Sequence, residues 1–268
     1  MKKIIALLMA VAMMVCCFAG CGGKDNTDST VSASSEPEKI AVTTVKEGKL
    51  TMATNAYFQP YEYYEGEKIV GIDAEIAAKI AEKLGLELVI QDMAFDSIIT
   101  AVQEGSVDIG LAGMTVKPDR LEKVDFSVSY ANGVQVVIVP ENSKIKTVDD
   151  LFADGATYKA GVQLGTTGDA YASEDLGSDR VTQYPNGNEA VNALLGGDVD
   201  CVIIDNEPAK SFVKNNSGLK ILDTTYADED YAACIKKGNK QLLDAVNKAI
   251  DELITDGTID SIIDKYIK

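Results

Sequence analysis

A small group of side chains in this sequence could together hold a zwitterion. Arg120 offers a planar fork that can grip a carboxylate through two parallel hydrogen bonds. Gly165-Thr166-Thr167-Gly168 reads as the opening of a helix, whose free N–H groups can add donors to the same anion. Asp205 ends an apolar run and can take an ammonium, and Thr115 can serve both charges through its hydroxyl and its backbone. Phe58 and Phe95 can flank an aliphatic stretch. Each of these has a more ordinary use when taken alone. An Arg after a strand is usually a surface ion pair, a lone Phe is usually core, and Gly-rich turns are common. The set carries information because burying both charges of a zwitterion is costly unless each meets a partner.

The chain argues against most other chemistry. It has 268 residues and neither His nor Trp, so the commonest general base and the commonest zinc ligand are missing. It contains no metal-ligand spacing, no nucleophile motif and no Walker-type phosphate loop. No enzyme activity, no metal and no cofactor is expected. Cys201 and Cys234 lie in apolar runs and are expected to be buried free thiols rather than a disulfide. The formal net charge is -17, and without residues 1–20 there are 23 basic against 42 acidic residues. Such a polyanion repels nucleic acid and anionic headgroups, so no nucleic-acid partner is expected. Two Arg, Arg120 and Arg180, stand against 23 Lys, a hint that an Arg in this chain sits where a planar fork is needed.

The elements that must position these residues alternate between strand and helix. Lys49–Thr54 is an expected strand. Ile72, Ile76, Ile80 and Leu84 mark one face of a helix that Gly85 ends. Leu86–Gln91 reads as a strand, and Asp96 as the cap of a helix carrying Ile98, Ile99 and Val102. Val107–Ala112, Gly133–Pro140, Tyr158–Val162 and Cys201–Ile204 follow as strands. A helix from Asn239 carries Leu242, Val246 and Ile250, Gly257 breaks it, and Thr258 caps a last helix. Ala101–Asp108 and Ala193–Asp200 share one syntax: a helix end, a Gly, then Val-Asp opening an apolar strand. The repetition suggests two similar α/β lobes. Ligands of such sheets bind at the C-terminal ends of the strands, where Asn55, Gly113, Thr115, Arg120, Gln163, Thr167 and Asp205 fall.

The N-terminus reads as an address. Lys2 and Lys3 precede the apolar stretch Ile4–Val15 and then Phe18-Ala19-Gly20-Cys21. This resembles a bacterial lipoprotein signal (1–20) with Cys21 lipidated, the alternative being an uncleaved anchor. Residues 21–47 then form a lipid-anchored flexible tether. The protein is expected outside the cytoplasm, held to the cell membrane.

Beyond the tether a family resemblance emerges. Ala53-Thr54-Asn55-Ala56-Tyr57-Phe58-Gln59-Pro60-Tyr61-Glu62, Val70-Gly71-Ile72-Asp73, Met93-Ala94-Phe95-Asp96-Ser97, Leu111-Ala112-Gly113-Met114-Thr115 and Val124-Asp125-Phe126-Ser127 resemble the family-three extracellular solute-binding proteins, the polar amino-acid receptors of ABC importers. With Arg120, Gly165–Gly168 and Asp200–Asp205, the resemblance runs over about residues 48–268. It implies a hinged two-lobe, type II periplasmic-binding-protein fold that closes on a free amino acid. It also implies a permease with its ATPase as partners. By the same resemblance, residues 48–132 begin lobe 1, residues 133–232 make lobe 2 with the hinge strands, and residues 233–268 return to lobe 1.

The resemblance also implies roles. The α-carboxylate meets Arg120, Thr115 and the Thr167 N–H. The α-ammonium meets the Gly113 carbonyl, Thr115 and Asp205. Phe58 and Phe95 form aromatic walls, and Asn55 and Gln163 meet the ligand side chain. Relatives for glutamine or basic amino acids often have Asp where this chain has Asn55. Two neutral amides fit a neutral polar side chain, glutamine-like, better than a charged one. A lysine or arginine ligand is the alternative, and it needs a further carboxylate in the pocket, for which Glu62 is the candidate. Cyclohexadienyl dehydratases share this fold, so a same-fold enzyme and a pure ligand sensor are the rival functions.

Overall fold

The computed structural model describes residues 42–223 and 225–267. The expected leader (1–20), Cys21 and the tether up to residue 41 lie outside the described residues. Among the described residues no helix is long and apolar enough to cross a membrane.

The chain opens with β1 (Lys49–Thr54), β2 (Tyr57–Phe58), β3 (Glu62–Glu65), β4 (Lys68–Val70), α1 (Ile72–Leu84), β5 (Glu87–Asp92), α2 (Phe95–Glu104), β6 (Ile109–Gly110) and α3 (Pro118–Leu121). The long strand β7 (Val124–Pro140) leads to β8 (Ala160–Gln163), α4 (Thr167–Leu176), β9 (Val181–Tyr184), α5 (Gly187–Gly196), β10 (Cys201–Asp205), α6 (Asn206–Asn215) and β11 (Leu219–Ile221). A second long strand, β12 (Ala227–Lys236), returns to α7 (Lys240–Thr255) and α8 (Thr258–Tyr266). The strands hydrogen-bond in the order β5-β1-β6-β12-β7-β10-β8-β9, with β11 also on β7. β1 is parallel to β5 and β6, and β8 is parallel to β9 and β10. Between these two parallel halves, β7 and β12 run antiparallel.

The buried apolar side chains gather accordingly. Two clusters combine residues 50–130 with residues 231–262, and two others draw on residues 136–222. These are the cores of two lobes, joined where β7 and β12 pair. In the first lobe Ile72, Ile76 and Ile80 are fully buried, so one stripe of α1 faces the sheet. The repeated Gly-to-Asp syntax does the same work in both lobes. Gly105 and Gly197 are left-handed helix caps. The next residue bonds back, Ser106 N to Ala101 O at 3.0 Å and Asp198 N to Ala193 O at 2.9 Å. Asp108 then accepts from Thr51 N of β1 at 2.7 Å, and Asp200 from Lys159 N, just before β8, at 2.8 Å. Each copy thus pins the strand whose far end carries a site residue, Asn55 after β1 and Gln163 at the end of β8.

Some local expectations need correction. The helix after Met93 starts at Phe95 with Ala94 at its cap, so Asp96 lies in the first turn and makes no side-chain cap bond; its charge still suits the helix dipole. Thr258 is inside α8, and Asp256 Oδ1 accepts its N–H at 3.0 Å instead. The strand expected over Val107–Ala112 is only Ile109–Gly110, because the chain then turns through Gly113 at φ 52 to build the site. Cys201 and Cys234 are buried, free, and in different cores. Burial pushes both thiols up to about 12.

Candidate functional site

All nine residues named from the sequence line one cavity: Asn55, Phe58, Phe95, Gly113, Thr115, Arg120, Gln163, Thr167 and Asp205. The strand ends supply most of them, as expected for α/β sheets. Asn55 follows β1, Gly113 and Thr115 follow β6, Gln163 ends β8, and Asp205 ends β10. Phe58 packs against the cores of both lobes. A Cβ on Gly113 would sit 2.8 Å from Phe58 Cε1, and Gly113 also has positive φ, so only glycine fits beneath this ring. A Cβ on Gly165, also at positive φ, would come within 2.9 Å of Asp96 Cβ from the opposite lobe.

Arg120 is 5% exposed. Its Nη1 donates to Thr115 O at 2.9 Å and its Nη2 to Gly165 O at 3.0 Å, while the guanidinium carbon lies 5.5 Å from the centroid of the Phe95 ring. Two of five N–H donors are thereby fixed and the fork is held in one orientation. Burial pulls its pKa below the ordinary range, with Asp119 and Glu229 opposing. Thr166 caps α4, accepting from Asp169 N at 3.2 Å and donating to Gln163 O at 2.8 Å. Helix geometry leaves the Thr167 and Gly168 N–H groups without an intrahelical acceptor, at the positive end of the helix dipole.

Asp205 is 1% exposed. Its Oδ1 caps α6 by accepting from Glu207 N at 3.0 Å. Its Oδ2 accepts from Val134 N at 3.0 Å and from Tyr231 Oη at 2.7 Å. Burial still outweighs these bonds and raises its pKa to about 6. Asn55 and Gln163 meet across the lobes: Gln163 Nε2 donates to Asn55 Oδ1 at 2.9 Å, and Asn55 Nδ2 donates to Met93 O at 2.8 Å.

The same cavity brings in residues that sequence reasoning left out, among them Gln135, Glu229 and Tyr231, and it includes Glu62. Glu229 Oε2 accepts from Thr115 Oγ1 and from Gln135 Nε2, both at 3.0 Å. In the sequence it stands between Asp228 and Asp230. The period of two along β12 was the available signal, since Glu229 and Tyr231 point to one face and are buried while Asp228 and Asp230 are not. Glu62 is fully buried against Asp73, whose Oδ2 accepts from Gly113 N and Tyr130 Oη, both at 2.8 Å. Both Glu62 carboxyl oxygens, and Asp73 Oδ1, are buried without a hydrogen-bond partner. Burial first, then the charge of Asp73, holds Glu62 well above the usual carboxylate range; burial raises Asp73 to about 6. The cavity therefore sets three carboxyls, Glu62, Asp205 and Glu229, against one guanidinium.

Known proteins match both the sequence and the fold. The arginine-binding extracellular protein ArtP of Bacillus subtilis (strain 168) is 32% identical over 99% of this chain and 98% of its own. A solved ancestral arginine-binding protein bound to glutamine is 38% identical, superposes with a TM-score of 0.77, and covers 83% of this chain and 99% of its own. The ancestral amino acid-binding protein AncCDT-1, a precursor of cyclohexadienyl dehydratase, is 31% identical with a TM-score of 0.76, covering 82% of this chain and 96% of its own. A family model matches residues 50–268, and the chain belongs to the bacterial extracellular solute-binding proteins, family 3.

Proposed function

We propose that this protein captures a free amino acid with a cationic side chain outside the cytoplasm and hands it to an ABC permease with its ATPase. The observation that carries the reading is the charge set of the cavity: Arg120 opposite Glu62, Asp205 and Glu229. The α-carboxylate engages Arg120 and the Thr167 and Gly168 N–H groups. The α-ammonium engages Asp205, the Gly113 carbonyl and Thr115. That clamp matches one positive group with one negative group and leaves Glu62 for a third ligand charge. A buried carboxyl with no hydrogen-bond partner is a strong partner for an ammonium or guanidinium, because the ligand's charge supplies the donors that it lacks. Kinship with an arginine-binding protein supports the same class.

A second reading, a neutral polar ligand such as glutamine, is favoured by the Asn55–Gln163 amide pair and by the arginine-binding relative solved with glutamine. A thermal-shift screen of all free amino acids separates the two. A ligand at 100 times its Kd adds about 2.7 kcal/mol, enough to move the melting temperature by several degrees. The largest shifts are expected from arginine or lysine. Largest shifts from glutamine or asparagine favour the second reading, and no shift from any amino acid overturns the function. Recovery of the bound amino acid chemically unchanged is expected of a binding protein; its conversion to a product would establish a same-fold enzyme.

The anchor belongs to the same proposal. Cys21 receives the lipid, and Cys21→Ser releases the protein from the membrane, because a diacylated Cys supplies two chains of affinity. Palmitate labelling that persists in Cys21→Ser contradicts it.

A further inference from the structure

Thr115 is asked to help with both charges of the ligand, yet a hydroxyl has one proton and two lone pairs. The direction of that proton decides what the oxygen can do. In this protein the proton is committed. Thr115 Oγ1 donates to Glu229 Oε2 at 3.0 Å, and Gln135 Nε2 donates to the same oxygen at 3.0 Å. Thr115 is 6% exposed, Gln135 4% and Glu229 6%, so water does not compete for these bonds. Glu229 Oε1 is buried with no hydrogen bond of normal geometry. Tyr171 stands beside the carboxylate, which adds to burial in pushing the phenol up. Glu229 sits on β12, opposite Gly133 of β7, and so is fixed by the paired strands that join the lobes.

We propose that Glu229 is a positioning residue for recognition of the ligand's α-ammonium: by taking the single proton of Thr115, it leaves that hydroxyl facing the cavity only as an acceptor. An acceptor-only oxygen suits an ammonium and cannot donate to a carboxylate. The anion is left to Arg120 and the α4 N–H groups, and the two ends of the zwitterion cannot exchange places. A ligand lacking the ammonium gains nothing from Glu229. The inference rests on the amino-acid reading of the site but does not depend on which side chain is bound.

The test is a comparison of ligands by titration calorimetry on the whole secreted protein. L-Arginine is paired with 5-guanidinopentanoate, which keeps the carboxylate and the guanidinium and lacks the ammonium. If arginine does not bind, L-glutamine and glutaramate take their place, and failure of both amino acids is a failure of the amino-acid reading rather than of this one. Glu229→Gln is expected to weaken the amino acid at least tenfold and its desamino analogue less than threefold. Thr115→Val removes the hydroxyl, and adding Glu229→Gln to it is expected to cost less than a further threefold. If Glu229→Gln does not fold, Thr115→Val alone carries the same ligand comparison. Equal losses for both ligands, or full additivity of the two substitutions, overturn the proposal.

Discussion

Arg120, Thr115 and Asp205 are each held by backbone or by a residue behind them, whereas Gln163 bonds to Asn55 across the lobes and the Glu62 carboxyl has no hydrogen-bond partner. The difference follows what each group is proposed to meet. The α-carboxylate and α-ammonium are the same in every amino acid, so their partners can be fixed before the ligand arrives, and little ordering is left to do on binding. A side chain varies, and its partners must give up existing bonds, or stand without them, to receive it. Affinity should therefore depend mainly on the first group and selectivity on the second.

Removing a charge from the fixed group should do the greatest damage. Arg120→Ala and Asp205→Ala are each expected to weaken binding by about 3–5 kcal/mol, because a ligand charge is then buried without its partner. Calorimetry measures the loss, and an unchanged far-ultraviolet circular dichroism spectrum checks that the fold survives. Glu62→Gln comes next and should act on selectivity. The preference for arginine over glutamine is expected to fall by about 1–3 kcal/mol, the cost of a charged hydrogen bond left unmade. The ligand-free variant should melt no lower than the wild type, since Gln keeps the neutral state that burial already imposes on Glu62. A loss of stability with unchanged selectivity would assign Glu62 to the core instead.

The pH dependence separates binding from stability. Asp73 and Asp205 are raised from an ordinary 3.8 to about 6. Between those values the folded protein binds protons that the unfolded chain does not. Their contribution to ligand-free stability is therefore full below about pH 4 and is lost as pH rises through about 6. Binding runs the other way, because an ammonium needs Asp205 ionised and a cationic side chain needs Glu62 ionised. The ligand-induced rise in melting temperature is expected to shrink from pH 7 to pH 5; a rise that is constant or grows contradicts the account. The smallest effect is expected at the exchangeable pair. Gln163→Ala removes a single amide bond between the lobes and should change affinity by about 1 kcal/mol.

The sequence made the fold and the cavity legible to different depths. The stripe of Ile72, Ile76 and Ile80, the two Gly-to-Asp turns and the apolar strand runs led directly to two α/β lobes, because burial periodicity and turn chemistry are local signals. Most of the nine cavity residues were readable because they fall just after strands, where the topology must place them, and the family resemblance pointed to the rest. Glu229 was not, since its partners Thr115 and Gln135 lie 114 and 94 residues away. Nor was the state of Glu62. Its separation from Asp73 in the chain says nothing about two carboxyls meeting without water, so the side-chain end looked neutral when only Asn55 and Gln163 were counted. Helix starts slipped by a residue or two for a related reason, as Ala94 and Gly257 occupy cap positions with no side-chain bond to announce them.

A crystal structure of the protein with the amino acid that gives the largest thermal shift tests the central claim most directly. The account predicts the α-carboxylate on both free edges of the Arg120 guanidinium and the Thr167 N–H, the α-ammonium within 3.2 Å or so of Asp205 and Thr115 Oγ1, and a cationic side chain ending at Glu62. An amino acid bound in the reverse sense, with its side chain at Arg120, or one bound outside this cavity, would contradict it.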